Sequence, residues 1–210
     1  MSEPIAPDVA VDEVRALIGD RALVIEADNG QLFGFKPPSR EAWSKCFNAL
    51  AKDDVRIDKD QVMRSMVFAC QVHPDGHAGH NLLVADLESY PGKVQAIWGE
   101  LSDLAGSGES HVAVVDGQVV VEKLGHGKFV FRRPRPYAWA RCLNTLSRDD
   151  RHLDRVTALE DMARDCLVEP AGGTAALKAL FEDYPGISSS IHGELAHLAG
   201  AGGIQNLGKR

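Results

Sequence analysis

The sequence predicts an α+β fold, built as two tandem copies of a three-stranded antiparallel β-meander followed by about four helices. Three observations lead there. The chain of 210 residues reads nearly the same text twice: FGFKPPSREAWSKCFNALAKDD at 33–54 and FVFRRPRPYAWARCLNTLSRDD at 129–150, an offset of 96. Each copy opens with short β-branched and aromatic runs separated by Asp and Gly, the composition of strands and hairpin turns. The rest of each copy carries apolar residues at i, i+3, i+4 and i+7, one face of an α-helix. The offset still holds at Cys70/Cys166 and Pro74/Pro170. Two residues then drop out of the second copy, after which ESYPG (88–92) matches EDYPG (182–186) and GELSDLAG (99–106) matches GELAHLAG (193–200). Domains are therefore expected at 11–106 and 107–202, with 203–210 as a flexible tail.

In the second copy HVAVV (111–115), QVVVEKL (118–124) and KFVFRR (128–133) read as strands, with Asp116-Gly117 as a hairpin turn. In the first, RALVIEA (21–27) and QLFGFK (31–36) flank Asp28-Asn29-Gly30. The segment VRALI (14–18) suits helix or strand by itself, and the repeat assigns it to the first strand. Pro37, Pro38, Pro134 and Pro136 end the strands and suit a first helical turn. A helix is expected over 39–52 and 136–148, with Trp43, Cys46, Phe47, Leu50 and Trp139, Cys142, Leu143, Leu146 facing inward. A second covers 59–72 and 154–168, with Val62, Met66, Ala69, Cys70 and Leu159, Met162, Ala163, Cys166 inward, and stops before Pro74 and Pro170. A third, over 80–89 and 173–183, is broken by Tyr-Pro-Gly. A fourth runs over 92–105 and 186–199, with Ile97, Leu101, Leu104 and Ile191, Leu195, Leu198 on one face and Gly106 and Gly200 just past its end. Ser107-Gly108-Glu109-Ser110 joins the copies.

Composition narrows the function classes. At 44% hydrophobic and 25% charged, the chain matches an ordinary globular protein. Its net charge of −7 and pI of about 5.6 repel phosphate backbones, so no nucleic-acid partner is expected. No stretch approaches the ~20 apolar residues of a membrane span. The start, MSEPIAPDVAVDE, has neither the basic nor the apolar region of a signal peptide, and a cytoplasmic location is expected. The four cysteines, Cys46, Cys70, Cys142 and Cys166, occupy repeat-equivalent positions inside apolar helical patterns and form no CxxC pair. They are expected as reduced, buried packing residues.

Few segments offer chemistry. His73, His77 and His80, within HPDGHAGH, bring three imidazoles and Asp75 together, the donor set of a zinc or nickel site. The spacing matches no standard signature, the second copy reads EPAGGTAA, and a solvated loop is the plainer reading. His192-Gly193-Glu194-Leu195-Ala196-His197 sets its histidines at i and i+5, about 140° apart on a helix, where a zinc helix needs i and i+4. Gly106-Ser107-Gly108 is no nucleophile elbow, and no phosphate-binding loop occurs. Asp53-Asp54 and Asp149-Asp150 stand between helices, where Asp caps and turns the chain. With no catalytic constellation left, a non-enzymatic protein without cofactors is expected. Trp43 and Trp139 read as core residues that could instead line a partner groove. Arg132, Arg133 and Arg135, with Arg141, Arg148 and Arg151, form the strongest local charge of the second copy, either a solvated face or a dock for an acidic partner segment.

The order of these motifs resembles a known family. Phe33–Pro38 and Phe129–Pro134, an aromatic-bearing helix, Cys70/Pro74 and Cys166/Pro170, Tyr90–Gly92 and Tyr184–Gly186, and the closing ELxxLAG follow one another as in small tail-assembly chaperones of tailed bacteriophages and related contractile-tail clusters. Those are single-copy proteins; this chain would carry the pattern twice. The resemblance implies a non-catalytic assembly chaperone or adaptor that escorts a tape-measure or baseplate component, held in a groove between the two halves. Alternatives are a structural subunit retained in the particle and a metal-dependent hydrolase using His73, His77 and His80. The sequence sets no oligomeric state.

Overall fold

The structure, a computed structural model, describes residues 7–50, 57–108, 111–122, 124–147, 154–170 and 172–201. The chain divides into two units, Met1–Leu104 and Ala105–Arg210. The first contains α1 (Pro7–Ile18), β1 (Leu23–Glu26), β2 (Leu32–Phe35), α2 (Arg40–Leu50), α3 (Lys59–Cys70), β3 (Gln71–His73), α4 (Gly76–Ser89) and α5 (Lys93–Leu104). The second contains β4 (Val112–Val115), β5 (Gln118–Val121), β6 (Phe129–Phe131), α6 (Pro136–Leu146), α7 (Arg155–Cys166), β7 (Leu167–Glu169), α8 (Thr174–Asp183) and α9 (Ile187–Leu198). The fold is α+β, with one antiparallel sheet per unit, ordered β1-β2-β3 and β4-β5-β6-β7. No described helix is long and apolar enough to cross a membrane.

The repeat is exact in register. Val24 pairs with Gly34, and Val120 with Val130; Phe35 pairs with Gln71, and Phe131 with Leu167. Side chains alternate across a strand. Phe33 and Phe35, like Phe129 and Phe131, therefore point to one side of their sheet, and all four are at most 1% exposed. In the first unit α3 packs between α2 and α5; in the second α7 packs between α6 and α9. Met66, Val67 and Cys70 fill one core, and Met162, Ala163 and Cys166 the other. Asp58 and Asp154 cap α3 and α7: Asp58 Oδ1 accepts from Gln61 N at 3.1 Å, and Asp154 Oδ1 from Val156 N at 3.1 Å. Such caps contribute ~0.5–2 kcal/mol each.

The meander-then-helices plan is corrected at three points. The second helix stops at Cys70 and Cys166, and the next three residues form β3 and β7. These insert a sheet strand between the second and third helices. Lys36 N donates to Cys70 O, and Arg132 N to Cys166 O, both at 2.9 Å, so the helix end itself is tied to the strand exit. The third helix of the first unit begins at Gly76, so the expected histidine loop is a strand, a turn and the start of α4. Finally, 14–18 is no strand but the end of α1. Val14 and Ile18 lie on one helix face and press on Gly34, where a β-carbon would collide with Ile18 Cδ1 and Val14 Cγ1. The second copy has Val130 at this position and, among the described residues of its unit, no α-helix ahead of its sheet; β4 instead pairs with the outer edge of β5.

Smaller differences follow from exposure. Leu143 is 39% exposed and Ala69 is exposed, although both were expected inward; Arg132 and Arg133 fall beyond β6. The expected Asp116-Gly117 hairpin is present, with φ of 51° and 73° joining Val115 to Gln118. The Asp53-Asp54 and Asp149-Asp150 pairs, Arg148, Arg151, the linker residues 109–110 and the tail 203–210 lie outside the described residues.

Candidate functional site

Small residues on facing helices leave space between them. In the first unit Ala42 and Ala49 of α2 face Val62 and Ala69 of α3 across an open groove of ≈ 490 Å³, with Cys46 and Met66 in its lining. In the second unit Ala138 and Thr145 of α6 face Ala158 of α7 across ≈ 280 Å³, with Cys142 and Met162 in the lining. Seven lining positions correspond at the offset of 96: Ala42/Ala138, Lys45/Arg141, Cys46/Cys142, Ala49/Thr145, Val62/Ala158, Ser65/Asp161 and Met66/Met162. Each groove thus lies within one unit, between its second-layer helices. Cys46, Met66, Cys142 and Met162 are no more than 4% exposed, so they form an apolar floor. Met is the side chain best able to adjust to an apolar surface pressed on it.

The rims are polar and internally paired. Lys45 meets Glu41 at 2.7 Å in the first unit; Arg141 meets Asp165 at 2.6 Å in the second, where Arg164 also pairs with Asp161. Pairs this exposed contribute little stability and can be re-formed around a ligand. Burial pushes the Cys142 thiol on the floor of the second groove up to about 11, and those of Cys70 and Cys166, in the two cores outside the groove linings, up to about 12 and about 11. Burial raises Cys46 too, the Trp98 indole beside it acting in the opposite sense. These thiols stay protonated at neutral pH and are no nucleophiles.

The other sequence candidates separate. Trp43 is 4% exposed and stacks on Phe47 with ring centres 6.2 Å apart. Trp139 is half-buried and stacks on His192 at 5.9 Å and 13°. Burial lowers the His192 pKa, so its imidazole is neutral at pH 7. His192 stands where the first copy has Trp98, a correspondence visible only once the two-residue gap is placed. His73 lies half-buried on β3, while His77 and His80 are exposed on α4, with His80 against the Phe68 ring at 4.4 Å. Among the described residues no three His, Cys, Asp or Glu side chains converge as a metal site.

Arg132, Arg133 and Arg135 are all exposed in the β6–α6 connection, with Pro134 buried between them. Arg135 is the N-cap of α6 and makes no side-chain cap. Its counterpart Ser39 accepts from Ala42 N at 3.2 Å. The arginine thus forgoes the ~0.5–2 kcal/mol a Ser cap supplies and sets a cation at the positive end of a helix. Two features had no foretelling pattern: α7 buries Arg155 and Glu160, where the first copy has Lys59 and Arg64.

No family model, curated protein or solved structure matches the chain.

Proposed function

We propose that this protein is a non-enzymatic adaptor of the assembly-chaperone type, holding helical apolar segments of a protein partner in its two equivalent grooves. One observation carries the reading: the same open groove, with the same Ala, Cys and Met lining, recurs between α2 and α3 and between α6 and α7. A groove flanked by two helices, with an apolar floor and charged rims, accepts a third amphipathic helix. Two such sites on one chain raise the effective concentration of the second contact and strengthen binding without new chemistry. The resemblance to tail-assembly chaperones supports a tape-measure or baseplate component as that partner. A chaperone leaves before assembly is complete, and a structural subunit stays, so the protein's presence in the finished particle separates the two roles.

Photo-crosslinking from the grooves tests the proposal. A photoreactive residue at the exposed groove-lining positions Lys45 or Arg141 should join the protein to one and the same partner in the native host, and the same residue at the exposed Glu88 should not. Adducts that form equally from Glu88, or from neither groove, would contradict it.

A further inference from the structure

We infer that Arg132, Arg133 and Arg135 form a docking surface for a run of Asp and Glu side chains on a protein partner. The inference rests on the reading above that the chain binds a protein, and it names the chemistry of a second contact.

Three observations combine. Among the described residues the three arginines have no carboxylate within ion-pair distance, whereas Arg141, Arg164 and Lys128 of the same unit each have one. Three unpaired guanidiniums within four residues, in a chain of net charge −7, repel one another and gain only from an anion brought from outside. The segment is also held in place. Arg132 N is bonded to Cys166 O at 2.9 Å, Pro134 is buried, and Pro136 opens α6, so the arginines sit on a braced backbone rather than on a free loop. Lastly, the patch belongs to one copy. The first copy reads Lys36-Pro37-Pro38-Ser39, with one cation and a serine that caps its helix. Replacing that cap by Arg135 leaves the first turn of α6, next to the arginines, without a side-chain acceptor. A partner carboxylate can accept there while its neighbours pair with Arg132 and Arg133. Tyr137, 76% exposed, adds an aromatic contact beside them. A protein occupant is favoured over nucleic acid because the chain as a whole repels a long polyanion, while a short acidic segment meets only the patch.

Fluorescence anisotropy with a labelled Asp/Glu peptide tests this on the full chain, against a neutral peptide of equal length and a single-stranded oligonucleotide. The acidic peptide should bind best, and binding should weaken as salt shortens the Debye length. Arg132→Gln, Arg133→Gln and Arg135→Ser together should weaken it by at least about tenfold. Arg135→Ser alone should raise the melting temperature by about 2–4 °C, by restoring the cap, while weakening the peptide. That single variant separates loss of contact from loss of fold. Unchanged binding in the triple variant, or stronger binding of the oligonucleotide, would overturn the inference. Ala49→Trp with Thr145→Trp, which fills both grooves, should leave acidic-peptide binding intact. If that pair loses the native partner while the acidic peptide never binds, the grooves stand and this surface falls; the reverse pattern removes the groove reading and keeps this one.

Discussion

Two tryptophans from one ancestral position have come to do different things. Trp43 is sealed in its core and Trp139 is half-buried against a neutral histidine. Trp43→Ala should therefore cost ~3–5 kcal/mol, as large-to-small core changes do, and Trp139→Ala less, in chemical denaturation. Equal losses would mean that Trp139 is as enclosed as its twin. His192 adds a pH dependence with a definite sign. Its folded pKa is lowered, so below the unfolded value of about 6.5 the unfolded chain takes up a proton that the folded unit refuses. Stability should be fully present above that pH and fall as pH drops below it. His192→Trp, the residue of the first copy, should remove that part of the slope while keeping the stack. The cysteines make a third residue-scale expectation. Buried thiols with pKa values of about 11 to 12 should react slowly with alkylating reagents at pH 8 in native protein and at once when it is unfolded. Fast labelling of Cys70 or Cys166 would place them outside the core.

At the scale of elements, Gly34 decides what the first unit builds on its sheet. Gly34→Val, which installs the second copy's residue, should push α1 off the sheet. We expect a loss of ~2–4 kcal/mol, as for overpacking and lost burial, and faster proteolysis within α1. An unchanged digestion pattern would show that α1 needs no such close approach. This position also shows why the sequence reading failed there. Repeat alignment carried 14–18 into a strand, while Val11, Val14 and Ile18, followed by Gly19 with φ 111°, spelled a helix and its stop. The local pattern and the repeat disagree over 14–18, and the fold follows the local pattern. By contrast β3 and β7 were hidden: three residues continuing an apolar helical pattern give no period to read, and their strand character comes from pairing with β2 and β6. The hairpins, most of the helices and the four buried cysteines were legible because period and turn chemistry agreed. The grooves were not, because a groove is made by what Ala42, Ala49 and Ala138 lack, and small residues raise no signal of their own.

For the molecule as a whole, the proposed function has two copies of one groove acting together on one partner. The arginine surface inferred above, Arg132, Arg133 and Arg135, would give the second copy a contact the first does not have. The measurement that bears on this most directly is the affinity for the crosslinked partner of four full-length proteins: the parent, Ala49→Trp, Thr145→Trp, and both changes together. Each single change should weaken binding by about 10²–10⁴-fold, since it converts a two-site contact into a one-site contact, and the double change should abolish it, with circular dichroism and melting unchanged. Full affinity in the double variant would contradict the central claim.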